Sequence, residues 1–422
     1  ATTGKNNVQL VVGEFPAFGD SQTRTIGTPD EGKTSWAEGD ELLLVIDNTS
    51  YGKQYATFKY NGSSWELTSG ELVYREGDPA YIPNVYYAPN YKWEAGKLVL
   101  KEGKVAGTDE YIEGNARISG NGETITVSFA GATRNYSRLR IATMPNKPIT
   151  VAISKYTPAG SSDMKWNQNY ALTSDENGNA YLYGTFENNS EVTVKYREAA
   201  LTTYTFSQAT ESAKSYALDA TVVSVNSAEE IKSAIEQKVA DGKTTIRLNL
   251  APNAGTDEFM AIREAIKGAA PNDEGTIELT IIGVETIPEE AFKRMLQLKS
   301  VRMSDVKEIK KYAFKECQYL TVVEAPSLNK LYSGAFDKCN LLSKLTFGPI
   351  NYADARYWPI FEDITPNIDL ILSDYQKEMI ETDDDLYTAN NDIDYAFSPE
   401  HVSKNFLGHE FKSITCRRYR VE

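Results

Sequence analysis

The sequence predicts a multidomain chain, in which an N-terminal antiparallel β-sandwich is followed by a short, capped α/β solenoid. Three observations lead to this fold class. The chain has 422 residues, which is more than one ordinary hydrophobic core organises. As far as about Phe206 it consists of short alternating runs that are broken by turn residues. From Ile287 to Ile350 it repeats itself every 22 residues.

The N-terminal half, residues 1–206, is predicted to form β-strands. The alternating runs lie at 8–12, 41–47, 55–67, 123–129, 139–144, 149–156, 180–186 and 191–198. Asn-Gly pairs at 61–62 and 177–178 mark turns between them. Because no run is convincingly helical, the pattern favours an antiparallel β-sandwich. Four tryptophans are expected in core and cross-strand packing rather than in a sugar-stacking platform: Trp36, Trp65, Trp93 and Trp166.

A change of pattern follows the Ser/Ala/Thr-rich residues 207–221, which are predicted to be a linker. Residues 222–286 then alternate between helical and strand patterns. Ser227 and Glu230 form a capping-box pattern at the start of the first helix. The second helix is predicted to bury Phe259, Ile262 and Ile266. These helix–strand units are expected to close the N-terminal end of the solenoid, as terminal repeats do.

The repeat itself, residues 287–350, consists of apolar columns separated by freely varied polar positions. The dipeptide Ala-Phe returns at 291, 313 and 335. Other columns are Ile287, Ile309 and Leu331; Met295, Cys317 and Cys339; Leu298, Leu320 and Leu342; and Val301, Val323 and Leu345. This period is typical of a leucine-rich solenoid, whose coils stack and bury a continuous core. Beyond Ile350 the period fails, so residues 351–422 are predicted to be the C-terminal cap.

Composition argues against several classes of function. The net charge of −15, with no cluster of Lys and Arg, argues against nucleic acid or an anionic membrane surface as a partner. No apolar run is long enough for a membrane-spanning helix. The chain has only two histidines and no catalytic or phosphate-binding motif, so we expect neither an enzyme nor a cofactor. A glycan-binding or glycan-processing protein that uses the tyrosine-rich N-terminal half stays open as an alternative, since 59 acidic residues also supply possible carboxylate pairs.

Two acidic stretches and two cysteines are candidates for metal ligands or a disulfide. Asp175, Asn177 and Asn179 have the alternate spacing of a calcium loop, but Ala180 stands where that loop requires glycine. The acidic residues between 381 and 394 favour a solvated loop, so no metal site is expected. Cys317 and Cys339 share a repeat column, which indicates buried thiols, since stacked side chains point in parallel and suit a disulfide badly.

The solenoid strand offers the candidate binding surface. Its three inward columns are assigned, so the intervening positions are predicted to face outwards along one side. The candidate partner-binding residues are Lys299, Arg302, Thr321, Glu324, Lys344 and Thr346. The alternative is that these residues only keep the solenoid soluble.

Two family resemblances follow from these motifs. The repeat I-x3-A-F-x2-C-x2-L-x2-V over 287–350 resembles the BspA-like leucine-rich repeats of surface proteins from anaerobic gut and oral bacteria, although the first repeat carries Met295 where cysteine is usual. The N-terminal half resembles the fimbrillin-like family of the same bacteria. That resemblance rests on Thr23-Arg24-Thr25, on Trp36-x-x-Gly39-Asp40 and on TVSFAGATRNYSRLRI.

The resemblance implies a non-catalytic adhesion protein whose partner is a host extracellular protein, a glycan or another cell-surface ligand. It also implies an exported protein on the extracellular face of the outer membrane, held by a lipid anchor on a cysteine that would precede Ala1. The rival hypothesis is an accessory or tip subunit that assembles with other fimbrial subunits. In that case cleavage after Arg24 would free a groove edge for strand exchange; the alternative is that Arg24 is a loop arginine.

Overall fold

The chain divides into two compact units. Unit 1 comprises Ala1–Val194 and Thr202–Ala220, and unit 2 comprises Lys195–Leu201 and Thr221–Glu422. The computed structural model describes residues 6, 8–18, 32–48, 51–119, 123–129, 134–354, 360–373, 381–382, 405–407 and 409–416.

The described part of the first half of unit 1 contains nine strands. In chain order they are β1 (Gln9–Val12), β2 (Glu41–Asn48), β3 (Gly52–Tyr60), β4 (Trp65–Gly70), β5 (Tyr81–Tyr87), β6 (Tyr91–Glu94), β7 (Lys97–Leu100), β8 (Ile112–Ile118) and β9 (Thr124–Ser128). Seven of them form one sheet in the order β1-β9-β8-β5-β2-β3-β4, and β6 pairs with β7. Alternating apolar side chains of this sheet, such as Leu42, Leu44 and Ile46, enter an apolar cluster that extends from Val8 to Phe129.

A second sheet follows in the same unit. Its strands are β10 (Ser137–Ala142), β11 (Pro148–Pro158), β12 (Lys165–Thr173), β13 (Asn179–Phe186), β14 (Glu191–Tyr196), β15 (Ala199–Thr205) and β16 (Ser215–Asp219). The order is β15-β14-β11-β13-β10-β16, with β12 paired to β11. The turn between β14 and β15 lies in the segment that is grouped with unit 2.

Two predictions for this region were wrong. Residues 207–221 are not a free linker, because β16 lies within them and pairs in parallel with β10, where Tyr216, Ala217 and Leu218 are buried. The sheets are also mixed rather than antiparallel, since β1 pairs in parallel with β9. The sandwich arrangement of the two sheets stays a prediction.

The tryptophans differ from one another in their surroundings. Trp36 makes edge-on contacts with Phe15 and Tyr87, and it lies against the apolar cluster of the first sheet. Trp65 lies against the same cluster, and Trp93 contacts Tyr55. The prediction of a packed side chain fails for Trp166, whose surface is 67% exposed on β12.

Unit 2 begins with two strand–helix pairs. The elements are β17 (Val223–Val225), α1 (Ala228–Ala240), β18 (Thr245–Leu250), α2 (Thr256–Ala269) and β19 (Ile277–Ile282). The Ser227 hydroxyl accepts the Glu230 N–H and so caps α1. The predicted inward face of α2 is confirmed, because Phe259, Ile262 and Ile266 are buried. Neither helix in the described part of the chain is long and apolar enough to cross a membrane.

Two parallel ladders then build the solenoid. The remaining strands are β20 (Thr286–Ile287), β21 (Leu298–Met303), β22 (Glu308–Ile309), β23 (Val322–Ala325), β24 (Lys330–Tyr332), β25 (Lys344–Phe347), β26 (Tyr352–Asp354), β27 (Asp369–Leu372), β28 (Glu381–Thr382), β29 (Asn405–Phe406), β30 (His409–Glu410) and β31 (Ser413–Cys416). An eight-stranded sheet has the order β17-β18-β19-β21-β23-β25-β27-β31, and a five-stranded sheet has the order β20-β22-β24-β26-β28. Each coil from β19 to β28 gives one strand to each sheet.

The predicted columns are confirmed as the core of the solenoid. Val301, Val323 and Leu345 are direct partners across three neighbouring strands and are fully buried. Between the two sheets the phenylalanines of successive Ala-Phe pairs stack, with ring centroids 5.2 Å apart for Phe292 and Phe314 and 5.5 Å for Phe314 and Phe336. Every coil therefore covers the apolar side of the next one.

The solenoid continues beyond the end that the period predicted. Strand β26 extends the five-stranded sheet, and β27 extends the eight-stranded sheet by pairing Leu345 with Leu370. These partners are 25 residues apart instead of 22, because an insertion lengthens the coil without breaking the ladder. The C-terminal cap predicted from residue 351 therefore begins with further coils.

Candidate functional site

Four of the six predicted binding residues lie on the outer face of the eight-stranded sheet: Arg302, Glu324, Lys344 and Thr346. The parallel register places Arg302, Glu324 and Thr346 in one column across β21, β23 and β25. Thr280 and Arg247 extend that column towards the N-terminal end. Lys344 lies on the same side as Thr346, because side chains alternate along a strand. Lys299 lies at a shift in the register between β19 and β21, and Thr321 precedes β23.

The centre of this face is occupied by the segment Lys195–Leu201, which belongs to unit 2. The Ala200 N–H donates to the Glu324 carboxylate at 3.3 Å, and the Arg247 Nε donates to the Leu201 carbonyl at 2.7 Å. Arg197 forms an ion pair with Asp305, whose other oxygen accepts the Gly283 N–H at 2.8 Å. These contacts hold the segment across neighbouring strands.

Glu324 is the centre of a small charge cluster beneath that segment. Its carboxylate lies 3.4 Å from the Arg302 Nε and 3.7 Å from the Lys344 Nζ. Only 7% of Glu324 is exposed, and Thr346 beside it is fully buried. The expectation that all six candidate residues face a ligand is therefore wrong for Glu324 and Thr346. Glu324 instead accepts a hydrogen bond from the segment through the Ala200 N–H.

The other four candidate residues differ in how far they are exposed to solvent. Lys299 is exposed, whereas Arg302, Thr321 and Lys344 are half-buried. Thr321 donates both its N–H and its hydroxyl to the Lys299 carbonyl, at 2.8 and 2.9 Å, so the start of β23 is fixed to β21. The processing candidate, Arg24, lies outside the described residues.

The sequence reasoning missed a second outer face, that of the five-stranded sheet. Glu308, Lys330 and Tyr352 form one column of this sheet, and Lys310 and Tyr332 lie beside it. All five residues are exposed or half-buried. The signal that could have revealed the face was the recurrence of Lys and Tyr on either side of the apolar position that each short strand contributes to the core.

A network of hydrogen bonds fixes the side chains of this face. The Tyr332 hydroxyl donates to Glu308 at 2.6 Å, and the Lys310 ammonium lies 2.7 Å from the same carboxylate. Burial by itself would raise the pKa of Glu308, but hydrogen bonds from Lys310 and Tyr332 outweigh it and lower the pKa. The Lys310 Nζ also lies 4.5 Å from the Tyr332 ring centroid. The ring centroids of Tyr332 and Tyr352 are 5.6 Å apart. We call Glu308, Lys310, Lys330, Tyr332 and Tyr352 the Lys–Tyr face.

Charge distinguishes the repeats from the rest of the chain. Residues 287–350 contain 11 Lys and Arg against 7 Asp and Glu, a net charge of +4. Since the whole chain has −15, the remainder carries −19. The repeats are therefore a basic region within an acidic chain.

Two cysteines and one histidine of the solenoid lie among the described side chains and are buried or half-buried. Cys317 and Cys339 are free and fully buried, and their thiols donate to the carbonyls of Phe292 and Phe314 at 3.0 and 3.1 Å. Burial raises the pKa of Cys339 well above its usual value, and a hydrogen bond with Cys317 adds to this, so no reactive thiolate forms there. His409 is half-buried beside Phe361 and Phe411, and burial lowers its pKa.

One of the two acidic stretches that resemble calcium sites, at Asp175, forms a turn. The Asp175 Oδ1 accepts the N–H groups of Asn177 and Asn179, both at 2.9 Å, so this carboxylate closes a turn. Within the described ranges no three His, Cys, Asp or Glu side chains are grouped as metal ligands. The acidic run from 381 to 394 lies outside the described residues, except for the backbone of β28.

Comparison with known proteins supports the identity of the repeats. Residues 278–357 match the family model of the BspA type leucine rich repeat region in six copies. No curated protein and no solved structure matches the chain significantly. The match covers the coils from β19 to β26, which include the Lys–Tyr face.

Proposed function

We propose that this protein is a non-catalytic cell-surface adhesion protein whose repeats bind a protein or glycan partner that presents acidic groups. The observation that carries the proposal is the match of residues 278–357 to BspA type repeats, a type associated with surface and adhesion proteins. The proposal includes export and a lipid anchor on the outer membrane.

The Lys–Tyr face is the part of the solenoid that best suits this role. Lys330 is exposed, and Tyr332 and Tyr352 present aromatic rings whose positions are fixed by their neighbours. Rigid aromatic residues beside a cation supply contact area at little entropic cost, since few rotamers are lost on binding. The outer face of the eight-stranded sheet offers less accessible surface to a partner, because the segment Lys195–Leu201 occupies its centre.

The test is a binding screen with three single charge reversals. The full chain would be immobilised and exposed to extracellular-matrix proteins and to sulfated and sialylated glycans. Lys330→Glu lies on the Lys–Tyr face, Lys299→Glu near the start of β21 in the eight-stranded sheet, and Lys53→Glu at an exposed position of β3. We expect Lys330→Glu alone to weaken capture, by roughly threefold to thirtyfold at low salt. Equal capture by all three variants would contradict the proposed face, and loss only in Lys299→Glu would move the site to the eight-stranded sheet.

The second candidate function is assembly by strand exchange through unit 1. Strand β1 favours it because it is a short edge strand in parallel pairing with β9, and Leu10 inserts into the core of its sheet. Removing β1 would expose the edge of β9 and an apolar groove, which another strand could fill.

Limited proteolysis tests this candidate. Protein cut by trypsin between β1 and β2 and then separated from the N-terminal peptide is expected to polymerise, which light scattering would detect. Uncut protein carried through the same steps is the control. Cut protein that loses β1 and remains monomeric would contradict strand exchange.

A further inference from the structure

A cleft of about 310 Å³ lies in unit 1, beside the second sheet. It is lined mainly by polar side chains: Thr108, Asp109, Asp175, Asn179, Tyr181 and Tyr183. This volume is at the lower end of the range for small-molecule sites. Among the described residues no Lys or Arg lines the cleft, which disfavours an anionic ligand.

One wall of the cleft is fixed to the sheet by direct hydrogen bonds. The Tyr183 N–H donates to the Gly107 carbonyl at 2.8 Å, and the Tyr170 hydroxyl donates to the Ala106 carbonyl at 2.8 Å. The Asn90 amide donates to the Thr108 hydroxyl, also at 2.8 Å. The wall that carries Thr108 and Asp109 therefore keeps its position without a ligand, and the site is preformed.

The two carboxylates of the cleft retain free acceptor capacity. Asp175 uses Oδ1 to accept two turn N–H groups, and Asp109 uses Oδ1 to accept the Glu110 N–H at 2.7 Å. Asp109 has no ion-pair partner among the described residues, whereas the neighbouring Glu110 is neutralised by Arg134 at 2.6 Å. Each cleft carboxylate therefore presents its second oxygen as a hydrogen-bond acceptor.

The two tyrosines are also held by their neighbours. The Arg138 guanidinium lies 5.3 Å from the centroid of Tyr181, and the ring of Tyr183 meets that of Tyr136 edge-on at 6.4 Å. Tyr181 and Tyr183 stand on the same side of β13, two residues apart, so both project beside Asn179. The cleft thus combines fixed aromatic rings with acceptor oxygens and an amide.

We propose that this cleft binds a neutral saccharide. Carboxylate and amide groups pair with neighbouring sugar hydroxyls, and a tyrosine ring covers the apolar face of a pyranose. A metal ion fits less well, because the described residues provide no third acidic, His or Cys ligand. Burial raises the pKa of Asp109, which indicates surroundings that disfavour charge and therefore suit an uncharged hydrogen-bonding ligand better than a cation. The proposal concerns unit 1 and does not depend on partner binding by the repeats.

The experiment is saturation-transfer NMR and calorimetry on the full chain with a panel of methyl glycosides. The panel contains glucose, galactose, mannose, fucose and N-acetylglucosamine derivatives, and tetralysine and calcium chloride serve as alternative probes. Asp109→Asn and Tyr181→Ala are the principal variants. Asp175→Asn is the conservative variant, since an amide oxygen still accepts the turn N–H groups. Asp47→Asn, on an exposed position of β2, is the matched control.

We expect at least one glycoside to bind, with affinity reduced about tenfold to hundredfold by Asp109→Asn and Tyr181→Ala and unchanged by Asp47→Asn. If Tyr181→Ala lowers the melting temperature, Asp109→Asn and Asp175→Asn decide the outcome. Binding of no glycoside would overturn the proposal. Binding that survives all three cleft variants would overturn it too, as would Asp109-dependent binding of only tetralysine or calcium.

Discussion

Replacing Phe314 by alanine tests whether the stacked phenylalanines hold the coils together. The ring is fully buried and lies between two parallel neighbours, Phe292 with an interplanar angle of 23° and Phe336 with an angle of 7°. The substitution would leave a cavity in the middle of the stack. Both adjoining coils lose a contact, although only one residue changes.

The magnitude follows from burial and from the rigidity of the surroundings. A buried Phe→Ala substitution costs about 3–5 kcal/mol, and the spread reflects how far the site can collapse. Collapse is restricted here, because the Phe314 N–H donates to the Ala335 carbonyl and the Phe292 N–H to the Ala313 carbonyl, both at 2.7 Å. The coil cannot move towards one neighbour without breaking its hydrogen bonds to the other. We therefore expect Phe314→Ala to lower the free energy of unfolding by about 4–5 kcal/mol, the upper part of that range.

Hydrogen exchange on the full chain is the suitable assay, because it reports opening at individual coils. The amides of Val301, Val323 and Leu345 lie in strands β21, β23 and β25. Their protection should fall by about 3 orders of magnitude, which corresponds to about 4 kcal/mol. Lys299→Ala, at an exposed position on β21, is the control and should stay within about 0.5 kcal/mol of the parent. A loss below about 2 kcal/mol would refute the rigid-stack reasoning.

Three further substitutions test other parts of the chain. Arg134→Met leaves the buried Glu110 carboxylate unpaired, so denaturant titrations should show a free energy of unfolding that is lower by about 3–5 kcal/mol. The double variant that also carries Glu110→Gln should recover most of that loss. Gly107→Ala places a Cβ 2.6 Å from the Tyr170 hydroxyl at a φ of +92°, and it should lower the melting temperature more than Gly62→Ala, where φ is +95° but the space is open. Burial raises the pKa of Asp337, so the folded state takes up its proton more readily than the unfolded state does. The free energy of unfolding of the parent, measured relative to that of Asp337→Asn, should therefore rise as the pH falls from neutrality through the raised pKa. A difference between the two proteins that does not change with pH would contradict this.

The periodic elements of this fold were predictable because identical spacing enforces identical geometry. Once Val301, Val323 and Leu345 are aligned in sequence, the parallel ladder follows, since each must be buried against the next. The turns were not predictable in the same way. Glu290 and Tyr312 have positive φ at corresponding positions of two coils, where Gly334 occupies the third. Only the glycine indicates a left-handed residue in the sequence, because the coil geometry imposes that conformation on the other two.

The site was less predictable than the fold, for a reason that Glu324 illustrates. Its column could be read from the repeat, but its burial depends on Ala200, a residue 124 positions earlier in the chain. No local pattern reports such a contact. The predicted linker failed for a similar reason, since the partner of β16 is β10, more than 70 residues away, and composition carries no information about that pairing.

The two proposed binding surfaces differ in the sign of their charge, and this makes them separable in one measurement. The repeats carry +4, so attraction of an acidic partner to the Lys–Tyr face should weaken as salt rises and the Debye length falls to about 8 Å at physiological ionic strength. The cleft in unit 1 presents Asp109 and Asp175 to an uncharged ligand, so salt should leave saccharide binding almost unchanged. A protein with both surfaces would bind a charged glycan through the repeats and a neutral sugar through the cleft. Competition between the two ligands would then be absent at every salt concentration, since each has its own site.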